Sequence, residues 1–388
     1  MNLEDIKDKT ILMFGKPRAF SIDEFESQMK HHNITLVKEM NDAVSLSVDG
    51  RMMTPYEQIA SDALYEKGSI KSVGIDELER ALAEDIDKDT LLMSLKLSHD
   101  KERLKCAIEN SMLDDEIFFS LMKMYSWGGE DFFENDDNRD VSAAFIARFY
   151  ENIERNHNVQ YATTGFIHLV AQAKSSDVLL AISLLEPLKF HPKIKTAIAM
   201  HPKCNTSMQK RFFKSDDAKI LEALSFNQNL EKKFIKEFAK NEYLGLNVAR
   251  SVLLSDELFK FLNKFTLGLA QNETLSEAMQ LELVELHDNF VNMALASNSC
   301  ITLKIIEKLH DNSDDELKMA LYKNSATPHD ILNIAYENEK YHVSLAQNEN
   351  TPVAILYQLQ LDARYERMVK TNAGFGKHIQ GENIGWLI

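Results

Sequence analysis

The sequence predicts a mostly α-helical chain: an α-solenoid preceded by a small α/β domain. The first observation behind this is a recurring pattern. An anchor residue, most often asparagine, follows a small or apolar stretch and is followed seven places on by an apolar residue. Its clearest copies are Ala294-Leu-Ala-Ser-Asn298, Ala320-Leu-Tyr-Lys-Asn324 and Ser344-Leu-Ala-Gln-Asn348. The second is composition: Gly (13) and Pro (7) are scarce in 388 residues, and helix-forming side chains abound. The third is that residues 1–82 lack the recurrence and alternate strand and helix signals.

The amino-terminal elements come first. Thr10–Phe14 is a short apolar strand. Ser21-Ile-Asp-Glu24 offers a cap with a carboxylate three residues on, opening a helix to about His31. Ile34–Val37 and Val44–Val48 read as strands, the second ending at the turn signal Asp49-Gly50. Thr54-Pro-Tyr-Glu57 caps a second helix, with Pro55 at its first position, running to Gly68. A strand over Ile70–Val73 and a helix over Ile75–Leu82 close the region. A four-stranded parallel sheet is expected.

This β-α-β-β-α-β-α order resembles a BRCT domain, most closely the carboxy-terminal one of bacterial NAD-dependent DNA ligases. Lys9-Thr-Ile-Leu-Met-Phe-Gly15, Ser21-Ile-Asp-Glu24, Gly68-Ser-Ile-Lys-Ser-Val73 and Ile75-Asp-Glu-Leu-Glu-Arg-Ala-Leu82 carry the resemblance. It implies protein or DNA-end contacts without catalysis. Members that bind phosphopeptides use a Ser/Thr-Gly pair after the first strand and a lysine opening the second helix. Here Phe14-Gly15 lacks the hydroxyl and Thr54–Ala63 holds no lysine, so phosphate recognition of that kind is not expected.

Residues 83–171 read as a helical region with an acidic insert at 127–140. The insert holds six acids and one arginine and is expected to be a solvated loop. Asp136, Asp137 and Asp140 lack the spacing and glycine of a calcium loop. Helices near Val141–His157 and Thr163–Ala173 follow.

Residues 172–388 carry the array. The anchors are Asn110, then Gln172, His201, Asn227, Ser251, Asn272, Asn298, Asn324, Asn348 and Asn372. From Gln172 onward they stand 29, 26, 24, 21, 26, 26, 24 and 24 residues apart. One such unit cannot bury its apolar face alone, so neighbours must stack. The residues seven past the first nine anchors (Ile117, Leu179, Met208, Phe234, Leu258, Met279, Ile305, Ile331 and Ile355) are expected in one core. Asparagine, serine and glutamine at the anchor suit a turn, where their side chains bond nearby backbone donors. Asn324-Ser-Ala-Thr-Pro328 and Asn348-Glu-Asn-Thr-Pro352, each followed by Ile-Leu, resemble the leucine-rich repeat variant family. That resemblance implies a right-handed solenoid of short helices, close to HEAT and armadillo arrays. The four-cysteine cluster that some members use for an iron–sulfur centre is lacking, so no cofactor is expected.

Charge singles out one region. The chain carries −16 overall, yet Lys189–Lys264 holds 15 Lys+Arg against 8 Asp+Glu. Lys210, Lys236 and Lys260 stand nine past three successive anchors, and Lys214, Lys240 and Lys264 thirteen past them. The i, i+4 spacing puts each pair on one helix face. These six lysines are the candidate partner-binding residues, for an acidic protein or a phosphate backbone. Phe212, Phe213, Phe226 and Phe238 are expected in the core rather than as stacking platforms.

No catalytic constellation, metal motif or phosphate loop is found among the 12 scattered histidines and the glycines. Cys106, Cys204 and Cys300 form no CxxC pair and are expected as buried, reduced residues. Met1–Asp8 is polar and acidic, and no apolar run approaches the roughly 20 residues of a membrane span. The expectation is a cytoplasmic, non-catalytic adaptor that binds proteins. A DNA- or RNA-associated role through the lysines is the alternative, followed by a glycosylase of the HEAT-like kind.

Overall fold

The computed structural model describes residues 2–68, 70–128, 135–149, 162–185, 188, 191–311 and 314–381. The chain is mostly helical, with a small parallel sheet of four strands. It divides into two compact units, Met1–Ile194 and Lys195–Ile388.

In the first unit, β1 (Thr10–Phe14), α1 (Ile22–His31), β2 (Thr35–Val37), β3 (Val44–Asp49), α2 (Pro55–Lys67), β4 (Lys71–Gly74) and α3 (Ile75–Asp85) follow in the expected order. The caps read from the sequence are present. Ser21 accepts from the N–H of Glu24, and Thr54 and Glu57 complete a reciprocal capping box. The strands pair in the order β2-β1-β3-β4, all parallel, with Ile11 opposite Leu36 and Leu46, and Val48 opposite Val73. β1 lies inside the sheet, and Ile11, Leu12, Met13 and Phe14 are all buried, as a parallel strand covered on both faces requires. Leu12 and Phe14 pack with Val44, and against them lie Val37, Met53, Leu64 and Ile70.

A buried carboxylate ties this domain together. Glu79 of α3 is fully buried, and its Oε1 accepts from the backbone N–H groups of Arg18, Ala19 and Phe20 at 2.8, 2.9 and 3.2 Å. Arg18 also reaches Asp76 at 2.8 Å. The turn between β1 and α1 is thus fixed to α3 through three backbone donors that share one buried carboxyl oxygen.

The unit continues as α4 (Lys88–Ser98), α5 (Lys101–Glu109), α6 (Asp115–Met124), α7 (Asp136–Phe149), α8 (Ala162–Gln172) and α9 (Ser176–Leu184). Phe118, Phe145 and Phe166 form a buried aromatic cluster joining α6, α7 and α8. The expectation of a loop over 127–140 is corrected in part. Asn135 accepts from the N–H of Asn138, and α7 begins at Asp136. Acids in a helix's first turn are favoured by its dipole, so Asp136 and Asp137 start a helix instead of ending a loop. Lys105 binds Asp137 at 2.9 Å and Asp140 at 3.4 Å. The part of the insert over 129–134 lies outside the described residues.

α10 (Pro192–Met200) crosses the division between the units. The second unit then holds α11 (Thr206–Phe213), α12 (Ala218–Ser225), α13 (Lys232–Phe238), α14 (Glu242–Ser251), α15 (Asp256–Phe261), α16 (Thr266–Ala270), α17 (Glu277–Val284) and α18 (Asn289–Ala296). It ends with α19 (Leu303–His310), α20 (Asp315–Lys323), α21 (His329–Tyr336), α22 (His342–Gln347), α23 (Val353–Gln360), α24 (Glu366–Lys370) and α25 (Ala373–Gly381). Helices this short are marginal alone, so packing holds them. The even-numbered helices from α12 to α24 each pack on the next even-numbered one. α14 and α16 approach closely at two glycines. A Cβ at Gly245 would lie 2.1 Å from the Phe265 ring, and one at Gly268 would lie 2.6 Å from the Leu246 carbonyl.

The asparagine anchors stitch this row. Asn298 donates its two amide hydrogens to the carbonyls of Ala270 and Asn272, at 2.8 and 2.9 Å. Asn324 repeats this on Ala296 and Asn298, Asn348 on Tyr322 and Asn324, and Asn372 on Ala346 and Asn348. Asn227 reads Ala199 and His201 in the same way. Asn272 reads Ala249 and Val252, one residue past the anchor Ser251. In most of these anchors Oδ1 also accepts the N–H two residues on, as for Cys300 and Ala326. The local turn bond matches the expectation; the two bonds to the preceding repeat go beyond it. Gln172 departs from the pattern: it is exposed at the end of α8.

Of the residues seven past an anchor, Ile117, Leu179, Met208, Phe234, Met279, Ile305, Ile331 and Ile355 are buried. Leu258 is only half-buried, and Phe259 beside it fills the core. It follows Ser251, where the interval to the next anchor shortens to 21; Phe259 and Leu262, eight and eleven past Ser251, keep the buried places that Ile235 and Phe238 hold past Asn227. Pro328 and Pro352 cap α21 and α23, and the threonines before them bond the Leu321 and Leu345 carbonyls.

Candidate functional site

The six candidate lysines occupy equivalent places on α11, α13 and α15 or just past their ends. All are exposed. The structure separates them by what they touch. Lys264 donates to the Ala239 carbonyl at 2.7 Å, at the end of α13, and lies over the Phe265 ring. It acts as a strap between repeats, with one of its three donors taken. Lys240 pairs with Glu237 at 2.7 Å. Neighbouring Lys232 pairs with Glu257, which also feels Lys236 and has its carboxyl held below the usual range, chiefly by Lys232. Such exposed pairs contribute little to stability, but they lower the local positive charge. Lys210, Lys214, Lys236 and Lys260 remain as the available part of the set. Phe212 and Phe238 are buried as expected, while Phe213 and Phe226 are half-buried.

The other row carries a line that sequence reasoning missed. Leu246, Leu267, Met293, Met319 and Val343 each stand five residues before an anchor, on α14, α16, α18, α20 and α22. Leu267 and Val343 are exposed, and the other three are half-buried. One helical turn earlier on two of these helices stand Tyr243 and Phe290, exposed by 57% and 79%. One turn later runs a polar line: Arg250, Gln271, Ser297, Lys323 and Gln347, all exposed. Positions i, i+3 and i+4 share a helix face, so consecutive helices present an apolar ridge beside a row of hydrogen-bonding groups. A hollow of about 420 Å³ opens on this row, lined by Lys323, Ser325, Gln347, Glu349, Met368 and Thr371 among others. The signal for this line lies in the anchor register itself, counted backward from each anchor instead of forward.

A larger cavity, of about 930 Å³, lies in the first unit between α4, α5, α6 and the start of α7. Leu92, Met93, Leu95, Leu104 and Tyr125 form apolar lining, with Lys96, Lys101 and Lys123 around it. The ion-paired Lys105 and Asp137 line it too.

At Gly15, where phosphate recognition is not expected, the backbone is already engaged. The Gly15 N–H donates to Glu57 Oε1 at 3.0 Å, and Lys38 donates to the Gly15 carbonyl at 3.0 Å. Gly15 adopts φ +67°, and a Cβ there would lie 2.4 Å from the Arg51 carbonyl. Bonds from the Thr54 and Gly15 N–H groups and the Thr54 hydroxyl bring the Glu57 carboxyl down to about 2. An internal carboxylate therefore occupies the donor that an external anion would need.

Burial pushes the Cys204 thiol up to about 12 and raises those of Cys106 and Cys300, which suits inert thiols. Cys204 is buried as expected, whereas Cys106 and Cys300 are only half-buried. Among the described residues no group of three or more His, Cys, Asp or Glu is placed to hold a metal, and no helix is long and apolar enough to cross a membrane. Comparison with family models, curated proteins and solved structures found no match for this chain.

Proposed function

We propose that the chain is a non-catalytic scaffold, an α-solenoid of the leucine-rich repeat variant, HEAT or armadillo kind behind a BRCT-like domain, and that it holds a polypeptide segment along its even-numbered helices. The observation that carries this is the ridge of Leu246, Leu267, Met293, Met319 and Val343 beside the row from Arg250 to Gln347. An extended peptide needs apolar contact for its side chains and hydrogen-bonding partners for its backbone, and this surface offers both at intervals of one repeat. The stitched anchors favour the reading, because a preordered surface loses little entropy on binding. The sheet order β2-β1-β3-β4 favours the BRCT-like reading of the amino-terminal domain.

A panel of immobilised unstructured peptides, probed with the purified full chain, tests this. Binding should fall at least tenfold in the double variant Leu267→Glu, Val343→Glu, with nearly unchanged thermal midpoint, since both positions are exposed. Equal binding by that variant, or no binding by the native chain, would overturn it.

A second reading rests on Lys210, Lys214, Lys236 and Lys260, which are exposed at equivalent positions of successive repeats. A phosphate backbone bound there would give affinity that falls steeply with salt and little sequence preference. Changing all six lysines of the set to glutamate should abolish such binding. Absence of salt-dependent binding to DNA, RNA or an acidic protein near ~50 mM salt would dismiss this reading and leave the first intact.

A further inference from the structure

The cavity of about 930 Å³ in the first unit is built from one face of each of three helices. Leu92, Met93 and Lys96 of α4, Lys101, Leu104 and Lys105 of α5, and Ser120, Lys123 and Met124 of α6 all line it. Within each set the residues stand three or four apart, as one side of a helix requires. The inner wall is apolar. Leu95 is buried, and Leu92, Leu104, Met124 and Tyr125 are half-buried. Protein interiors seldom leave voids larger than a water molecule, and water is held where polar groups partner it. A space of this size behind leucine and methionine suits an apolar guest. Its volume falls within the ~300–1,000 Å³ of small-molecule sites.

The rim is cationic. Lys96, Lys101 and Lys123 are exposed, one from each helix, and none of the three makes an ion pair among the described residues. Most other charges at the cavity are engaged. Lys105 holds Asp137 and Asp140, and Asp100 caps α5 by accepting the Arg103 N–H at 3.1 Å. Asp89 stands exposed in the first turn of α4, and His99 exposed just past its last. Three uncommitted ammonium groups therefore meet one uncommitted carboxylate. The walls are held apart from one another by fixed contacts. Lys88 pairs with Glu116 between α4 and α6, and Arg103 of α5 donates to Ser94 of α4 at 2.9 Å. A cavity already open loses little entropy when it is filled.

We propose that this cavity binds a single-chain anionic amphiphile of the fatty-acid class. The acyl chain lies between α4, α5 and α6, and the carboxylate sits among Lys96, Lys101 and Lys123. Lysine stems extend the apolar wall to the rim while their ammonium groups stay in water, so tail and head are met in succession. A polypeptide would need backbone partners, which walls of leucine and methionine do not offer.

Isothermal titration of the full chain with dodecanoate, below its micelle concentration, tests this. Dodecyltrimethylammonium, with the same tail and a cationic head, and acetate, with the head alone, are the controls. Dodecanoate should bind at one site with micromolar affinity, dodecyltrimethylammonium at least tenfold more weakly, and acetate not measurably. The triple variant Lys96→Glu, Lys101→Glu, Lys123→Glu should lose at least tenfold for dodecanoate and gain for dodecyltrimethylammonium. Its thermal midpoint should stay nearly unchanged, because all three positions are exposed. Met93→Trp, at a lining position that is 56% exposed, should obstruct the tail and weaken both amphiphiles. No binding of dodecanoate by the native chain overturns the proposal, and so does equal binding of the two amphiphiles. Affinity for dodecanoate that survives the triple variant, or survives Met93→Trp, overturns it as well.

Discussion

Replacing Asn324 by alanine removes three hydrogen bonds from a residue that is 8% exposed. Two amide donors leave the carbonyls of Ala296 and Asn298, at 2.8 and 2.7 Å, and one acceptor leaves the N–H of Ala326 at 2.9 Å. Each bond is worth about 1 kcal/mol net, and each buried group left unpaired adds about 1–3 kcal/mol where water cannot reach it. The carbonyls of Ala296 and Asn298 lie between repeats, so water reaches them poorly. The expected loss is about 3–5 kcal/mol. Asn324→Asp sharpens the argument. It keeps the acceptor for Ala326 but sets a carboxylate against two carbonyl oxygens. At neutral pH it should therefore cost more than alanine. Repulsion raises its folded pKa above the unfolded value of about 3.9, so the deficit should shrink as pH falls through that raised pKa and the acid becomes a donor. Asn263→Ala, at an exposed turn position just past α15, is the control and should stay within about 0.5 kcal/mol of the native chain. Urea unfolding followed by circular dichroism gives the stabilities, and hydrogen exchange at Ala326 reports the turn itself. A loss below about 0.5 kcal/mol for Asn324→Ala, or Asn324→Asp more stable than Asn324→Ala at neutral pH, would refute the reasoning.

Other outcomes follow from the same structure. Ile331→Ala should cost about 2–5 kcal/mol in urea unfolding, as a large-to-small change in a packed core; a cost near zero would remove Ile331 from the core. Glu79→Ala should destabilise the amino-terminal domain by about 3 kcal/mol or more, because three N–H groups lose their acceptor, while Glu79→Gln, which keeps one acceptor oxygen, should cost less; equal costs would show that the bonds to Arg18, Ala19 and Phe20 do not matter. His201 Nδ1 accepts from the Lys203 N–H at 3.0 Å, and burial, then Lys203, lowers its pKa below the ordinary histidine value of 6.5. Its folded form prefers to be neutral, so its contribution is full above about pH 6.5 and is lost as pH falls towards the lowered folded pKa; His201→Asn should abolish this part of the pH dependence of the thermal midpoint. Titrating the full chain with phosphoserine peptides should show no phosphate-dependent micromolar binding at Gly15, since Glu57 already takes its N–H.

The fold is readable where a residue's neighbours in sequence decide its state. Ser21, Thr54 and Pro55 set caps within their own turn, and the succession of strands and helices along the first domain follows from elements a few residues long. The period is equally legible, because one anchor type recurs at nearly fixed spacing. What each anchor's amide touches is not, since spacing shows which residue recurs and not which carbonyl lies across from it. Gln209 and Gln280 make the same point. Both are buried eight past an anchor and bridge repeats, Gln209 from the Cys204 and Asn229 carbonyls to the Glu231 N–H, Gln280 from those of Leu275 and Cys300 to the Thr302 N–H. In sequence they look like surface residues. Leu258 fails for a different reason: Phe259 and Leu262 keep their core places past Ser251, and Leu258 alone turns partly outward, which spacing cannot show. The lysine set is visible as a periodicity, but the diversion of Lys264 to the Ala239 carbonyl depends on how the helices stack.

The asparagine ladder separates phase from length. Intervals of 24 and 26 residues both deliver an amide to the same pair of carbonyls. The chain between two anchors can therefore gain or lose residues without throwing later repeats out of step, as long as the anchor and the carbonyl two residues before it keep their places. When the interval drops to 21, Asn272 still finds two carbonyls by moving one of them to Val252. Each asparagine-anchored repeat takes its position from the backbone of the one before it, which no side-chain substitution can remove. Surface residues on both rows are thus free to diverge, and a binding face can be rewritten one repeat at a time while the framework keeps count.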